Sequence, residues 1–217
     1  VDKTGTLTVN RMALVGLADA QTQATVFADS PTPSALWPLL DAAAHAAGDD
    51  GIEPMDRAIG RLHQRSGVGA GPSEGLVRRI GIAPERLYVS HWWRDSLGRG
   101  RVVVKGAPEA VQGLCDELPP EAERLAAAMS QQGLRVLAVA EGQWNGAAAE
   151  AQALPHLRWL GLLGFLDPLR DDVPQAMREC QAAGIRVVMI TGDAPLTARA
   201  IAQAAGLQAS EVLTGAQ

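Results

Sequence analysis

The sequence is poor in several things, and each shortage excludes a class of protein. It has only two cysteines, Cys115 and Cys180, far apart in the chain. That excludes a disulfide framework and a cysteine metal cluster, and it fits a reducing compartment. Aromatic residues make up only 4%, so Ala, Gly, Leu and Val must fill the core. A strong charge excess is lacking too: the net value of −5 is mild, without the basic excess of a nucleic-acid-binding surface. The longest apolar run, Trp159 to Leu166, has the length of a buried strand, whereas a membrane-spanning helix needs roughly 20 residues. There is no secretory leader pattern. The four histidines have no metal-ligand spacing, and His91, alternating with apolar residues, reads as structural.

What is present is enough for a real core: 217 residues with 47% apolar, room for one large domain or two small ones. Val1-Asp2 reads as the end of a strand already under way, so both ends are expected to be interior to a longer chain. A helix is expected from Ser34 to Ala47, broken at Asp49-Asp50-Gly51. A second starts at Glu53 with Pro54 in its first turn, where a missing N–H costs nothing. Gly67 to Gly71 is read as loop. Strands are expected over Arg86 to Trp93, Gly100 to Lys105 and Leu134 to Ala140, with helices over Pro108 to Cys115 and Pro120 to Gln132. Asn145 to Pro155 is Ala-rich linker. Then comes strand Leu157 to Leu166, helix Val173 to Ala183, strand Ile185 to Ile190 and helix Thr197 to Ala205. Alternating strands and helices, with continuously apolar strands, predict a parallel sheet covered on both faces.

Four short segments carry chemistry. Asp2-Lys3-Thr4-Gly5-Thr6-Leu7-Thr8 places a carboxylate just past a strand end, before a turn rich in hydroxyls and backbone N–H groups. Such a turn can hold phosphate oxygens, and the Asp can attack a phosphoryl group. Thr191-Gly192-Asp193 follows an apolar segment, at the strand end where open parallel sheets bind ligands. Leu166-Asp167-Pro168-Leu169-Arg170 is a turn, since Asp before Pro commonly starts one. Lys105-Gly106-Ala107-Pro108-Glu109 puts an ammonium on a flexible stem at a strand end, beside a glycine that permits close approach.

Together these segments resemble P-type cation-transporting ATPases, of the haloacid dehalogenase superfamily, over nearly the whole chain. The resemblance implies an α/β fold: a partial Rossmann-like phosphorylation domain, residues 1–13 and 158–217, with an inserted α+β nucleotide-binding domain, 14–157, built on an antiparallel sheet. It implies that Asp2 is the phosphorylated nucleophile, with Lys3, Thr4, Thr191, Gly192 and Asp193 completing the catalytic set. Nucleotide contacts fall to Asp56 (in Glu53-Pro54-Met55-Asp56), Lys105, Gly106, Arg135 (in Gly133 to Leu137), Asp167 and Arg170. Mg²⁺ would be held by Asp2 and the Thr4 carbonyl, with ATP as the phosphoryl donor.

The implied activity is ATP-driven cation transport through an aspartyl phosphate, on the cytoplasmic face of a membrane. The implied partners are ATP, the transported cation and the membrane and actuator domains of a longer chain, with no nucleic acid. The ion is not legible here, although the Lys-Gly-Ala-Pro-Glu segment and the lack of a His-Pro pair favour Ca²⁺/Na⁺/Mg²⁺-type pumps over copper or zinc exporters. Two readings stay open beside it: a soluble phosphatase of the same superfamily and a non-catalytic nucleotide-binding module. Thr4 weighs against the first, because the phosphatases usually carry there a second Asp as general acid, which Thr cannot replace. The sequence also departs from the family in lacking a Phe for adenine stacking. Ile82, Tyr88 or Trp92 remain candidates, and modest nucleotide affinity is implied.

Overall fold

The computed structural model describes residues 1–25, 31–48, 53–67, 74–145, 153–192, 195–207 and 213. The expected breaker at Asp49 to Gly51, most of the Gly67 to Gly71 loop and most of the 145–155 linker lie outside these residues, as does Asp193.

In chain order the elements are β1 (Ala13–Ala18), β2 (Gln23–Thr25), α1 (Trp37–His45), α2 (Pro54–Ser66), β3 (Glu74–Ile80), β4 (Tyr88–Asp95), β5 (Arg99–Gly106), α3 (Pro108–Gln112), β6 (Cys115–Glu117), α4 (Ala122–Gln131), β7 (Arg135–Asn145), β8 (Leu157–Leu166), α5 (Val173–Ala182) and α6 (Pro195–Ala204). The expected helices and the strands at β4, β5, β7 and β8 form within a few residues of the sequence reading. Strands β1, β2, β3 and β6 were not expected; β1 has no clean period because it is buried along most of its length. No helix among the described residues is long and apolar enough to cross a membrane.

All eight strands join one sheet of order β2-β1-β8-β7-β5-β4-β3. Neighbours along this path are antiparallel. Strand β1 reaches only to Leu162 of β8, and β6 pairs with the uncovered start of β8 in parallel. The continuous apolar run of β8 therefore has a different cause from the one expected. Helices cover both faces of the sheet, so both faces of β8 are buried although its long neighbours β1 and β7 run antiparallel to it.

Helices α1 and α2 pack on one face, where Leu39, Leu40, Ile59 and Leu62 meet Leu17, Val103, Val139, Leu163 and Phe165. Helices α3 and α4 pack on the other, where Val111, Leu125 and Met129 meet Trp92, Val102, Val104, Ala138 and Leu162. The split of Val102, Val103 and Val104 between faces is the period-2 alternation of a strand. Each large side chain so buried contributes roughly 1.5–3 kcal/mol.

A third, smaller cluster joins Leu7, Val173, Met177 and Ala205 beside the start of the chain. The expected strand Ile185 to Ile190 is here an extended segment, not a covered central strand. Among the described residues its ladder is the parallel bridge of Ile190 to Asp2, flanked by bonds between Val1 and residues 188 and 190. With that single neighbour, Ile185, Val188 and Ile190 stay 57%, 56% and 70% exposed.

Candidate functional site

The Asp2 turn is built from both ends of the chain. Lys3 donates its N–H to the Ile190 carbonyl at 3.2 Å, which lays Asp2 beside the segment leading into Thr191 and Gly192. The turn closes when Thr8 donates its N–H to the Lys3 carbonyl at 3.1 Å. Gly5 sits at φ +79°, a left-handed conformation that glycine adopts without strain. Leu7 is buried in the third cluster and anchors the turn from below. Asp2 and Thr4 are exposed, Lys3 is buried, Thr191 is half-buried and Gly192 is exposed.

The segment after β8 clamps this turn. The Thr8 hydroxyl donates to the Asp167 carboxylate at 2.6 Å, in a buried contact. The other Asp167 oxygen accepts the Arg11 N–H at 2.9 Å. Backbone bonds from Val9 to Pro168 and from Arg170 to Leu7 run alongside, and the Arg170 guanidinium donates to the Gly5 carbonyl at 3.0 Å. Asp167 is 5% exposed, and both its oxygens are taken by protein donors. The sequence reading missed Thr8 and Arg11 as partners of Asp167, although Thr8 closes the heptapeptide and Asp167 opens the turn it meets.

A second group forms at the ends of β5 and α2. Lys105 is 6% exposed and forms an ion pair with Asp56. Asp56 also accepts the Gly48 N–H at 2.8 Å, so one carboxylate pins the end of α1 to the sheet. Burial pulls the Lys105 ammonium below its usual range, opposed by the charge and hydrogen bond of Asp56 and the charge of Glu53. His91, opposite Val103 on the same face, hydrogen-bonds through Nδ1 to the His45 carbonyl at 2.8 Å. A carbonyl only accepts, so Nδ1 carries the proton. Burial, with the charges of Arg79 and Lys105, lowers the His91 pKa, and the bond to His45 opposes this.

Gly106 is required by the backbone. A Cβ there would lie 2.4 Å from the Leu87 carbonyl oxygen and from the Tyr88 Cβ. Of the aromatic candidates, Trp92 is 1% exposed and stacks edge-on against Trp144 at 5.5 Å, in the core of the sheet face opposite Lys105. Tyr88 packs against that same core. Ile82 is 68% exposed.

The sheet register relates the two groups. Lys105 lies opposite Val139, and Arg135, on the same face of β7, lies opposite Phe165, the residue two before Asp167. Four residues of strand, about 13 Å, separate their rows. Arg135 thus stands at the Asp167 end of the face that carries Lys105. Asp2, Lys3, Thr4, Thr191, Asp167 and Arg170 come together at one place, and Asp56 and Lys105 at another.

Comparison with known proteins bears on this arrangement. The family model of haloacid dehalogenase-like hydrolases matches residues 1–215. A probable cation-transporting ATPase I of Mycobacterium tuberculosis is 34% identical over the whole of this chain and 15% of its own length. Its counterpart in Mycobacterium leprae is 32% identical over the same shares. Plasma membrane calcium-transporting ATPase 3 of Homo sapiens is 29% identical over 95% of this chain and 20% of its own. The chain therefore spans 15–20% of the length of these relatives.

Proposed function

The chain belongs to the haloacid dehalogenase-like hydrolase family, and from that premise we propose that it is the phosphorylating and nucleotide-binding part of a P-type cation-transporting ATPase. In this reading residues 1–13 and 158–217 form the phosphorylation unit and 14–157 the nucleotide unit, with β8 as the strand through which they share one sheet. The longer protein would carry cations across a membrane, with this part on its cytoplasmic face, and the Ca²⁺/Na⁺/Mg²⁺ class of pump fits best.

The observation that carries the reading is the clamped turn that holds exposed Asp2 beside Thr191 and Gly192. An Asp2 carboxylate oxygen attacks the γ-phosphorus of ATP, the bond from that phosphorus to the bridging oxygen breaks, and ADP leaves with the electron pair. Water later opens the acyl phosphate, releasing phosphate and restoring the carboxylate. Thr4 offers no general acid or base for that second step, so the acyl phosphate persists long enough to drive a conformational change. Lys3 and Thr191 balance and orient charge at the turn, and Asp193 supports the site. Asp2 and Thr4 are exposed residues, and the Asp2 carboxylate and the Thr4 carbonyl are hard oxygen donors close in sequence, a set that suits Mg²⁺, which keeps several waters and few protein ligands. Bound there, Mg²⁺ would offset charge on the phosphate oxygens.

Lys105 and Asp56 hold the base end of the nucleotide, while Arg135 reaches its phosphates. Asp167 and Arg170 act by holding the Asp2 turn at the place where nucleotide arrives. The test is acid-quenched labelling with γ-labelled ATP in the longer polypeptide: the parent takes up label and Asp2→Asn takes up none. Label retained in the Asn variant would sink the assignment.

A further inference from the structure

Helix α2 has a flank that the assignments above leave unused. Arg57, Arg61 and Arg65 recur every fourth residue and so form one stripe. All three are exposed. The helix buries Ala58, Ile59 and Leu62, while Asp56 and His63 lie on the other flank, toward Lys105 and Asp41. Among the described residues Arg57 and Arg61 have no carboxylate within ion-pair distance. Like charges at this spacing disfavour a helix. Among the described residues Arg57 and Arg61 stand unneutralised, in a chain whose net charge is −5. An anion brought to this flank would relieve that repulsion.

The stripe is tied to the Asp2 turn. The Arg61 guanidinium donates to the Met12 carbonyl at 3.3 Å, at the root of β1. The preceding residue, Arg11, gives its N–H to Asp167, which accepts the Thr8 hydroxyl. On the sheet below, Leu14 pairs with Phe165, and Phe165 with Arg135. That places Arg135 two strands from β1, about 10 Å away, on the face that α2 covers. Helix α2 therefore starts at Lys105, through Asp56, and passes the root of the Asp2 turn, through Arg61.

We infer that the Arg57–Arg61 flank of α2 binds the phosphate chain of the nucleotide, on its way from the Lys105–Asp56 pair to Asp2. The inference rests on the nucleotide reading above and adds two residues to it. A guanidinium presents a planar fork of N–H donors that matches two phosphate oxygens at once and stays charged at any working pH. Both arginines are exposed, so salt must weaken their contribution.

The experiment titrates the 217-residue chain with adenosine, AMP, ADP, ATP and inorganic tripolyphosphate at low and at physiological salt. Parent affinity should climb along the nucleotide series and fall with salt. Arg57→Gln and Arg61→Gln should each weaken ATP and tripolyphosphate binding about three- to fivefold, and together about tenfold, with adenosine unchanged. Arg57→Lys should recover part of the loss. Arg57→Gln is the arm least open to a folding artefact, because among the described residues the Arg57 side chain makes no hydrogen bond or ion pair that could be lost. Equal ATP and tripolyphosphate binding by parent and double variant would overturn the inference. The nucleotide reading is judged separately, by whether Lys105→Met abolishes adenosine binding. Loss there, with the arginine variants unaffected, leaves that reading standing and this inference refuted.

Discussion

Thr8 and Asp167 are 159 residues apart in sequence and meet in a buried hydrogen bond of 2.6 Å. The bond joins the end of the Asp2 turn to the point where the chain leaves β8. Both oxygens of that carboxylate accept from the protein, one from the Thr8 hydroxyl and one from the Arg11 N–H. Asp167 shapes the turn from inside.

Removing that clamp should loosen the turn. Asp167→Asn replaces an acceptor facing the Thr8 hydroxyl with a donor, and Thr8→Val leaves a buried carboxylate oxygen without its partner. Each should cost about 1–3 kcal/mol in a denaturant melt. Amide exchange at residues 3–9 should quicken before the rest of the protein does. Unchanged stability and unchanged exchange in both variants would mean the bond contributes nothing.

The Lys105–Asp56 pair should respond asymmetrically. Asp56→Ala strands a buried ammonium and frees the Gly48 N–H, and breaking such a pair costs about 3–5 kcal/mol. Lys105→Met leaves Asp56, the more exposed partner, still bonded to Gly48, and should cost less. The Asp56→Ala/Lys105→Met double variant should be more stable than Asp56→Ala alone. Thermal melts of the three variants decide it, and a double variant no more stable than Asp56→Ala would count against an uncompensated charge as the cause.

His91 should make stability depend on pH. Its folded pKa is lowered, so the unfolded chain binds the proton more readily and stability falls as pH drops through 6.5 toward the folded value. Well above 6.5 the residue is neutral in both states and contributes no slope. Melts between about pH 7.5 and 5.5 should show the loss, and His91→Gln should flatten it. An identical slope in the variant would assign the effect to other groups.

Gly106→Ala should disturb the end of β5 next to Lys105, where β4 and β7 both pair with it. The added methyl would sit 2.4 Å from the Leu87 carbonyl, and the atom in the way is backbone that cannot rotate aside. The expected cost is about 1–3 kcal/mol, as for overpacking elsewhere, and a melt within 0.5 kcal/mol of the parent would contradict the crowding.

Much of the local structure was legible from the residues alone. The helices at 37–45, 54–66, 122–131 and 173–182 follow from their apolar spacing and from Pro54 at a first turn. Helix ends at Gly184 and Gly206 follow from glycines that sit at φ +71° and +81°. The heptapeptide at Asp2 and the Lys105 segment were legible because each is a continuous string of adjacent residues. Strand direction was not legible: an apolar run such as Leu157 to Leu166 records that both faces are covered, and covering helices leave that mark on parallel and antiparallel strands alike. Nor could sequence spacing show that Asp167 faces Thr8, that Asp56 faces Lys105, or that Arg61 leans on Met12. Such contacts bring together segments distant in the chain, and only the packed sheet and its two helical layers decide which side chains meet.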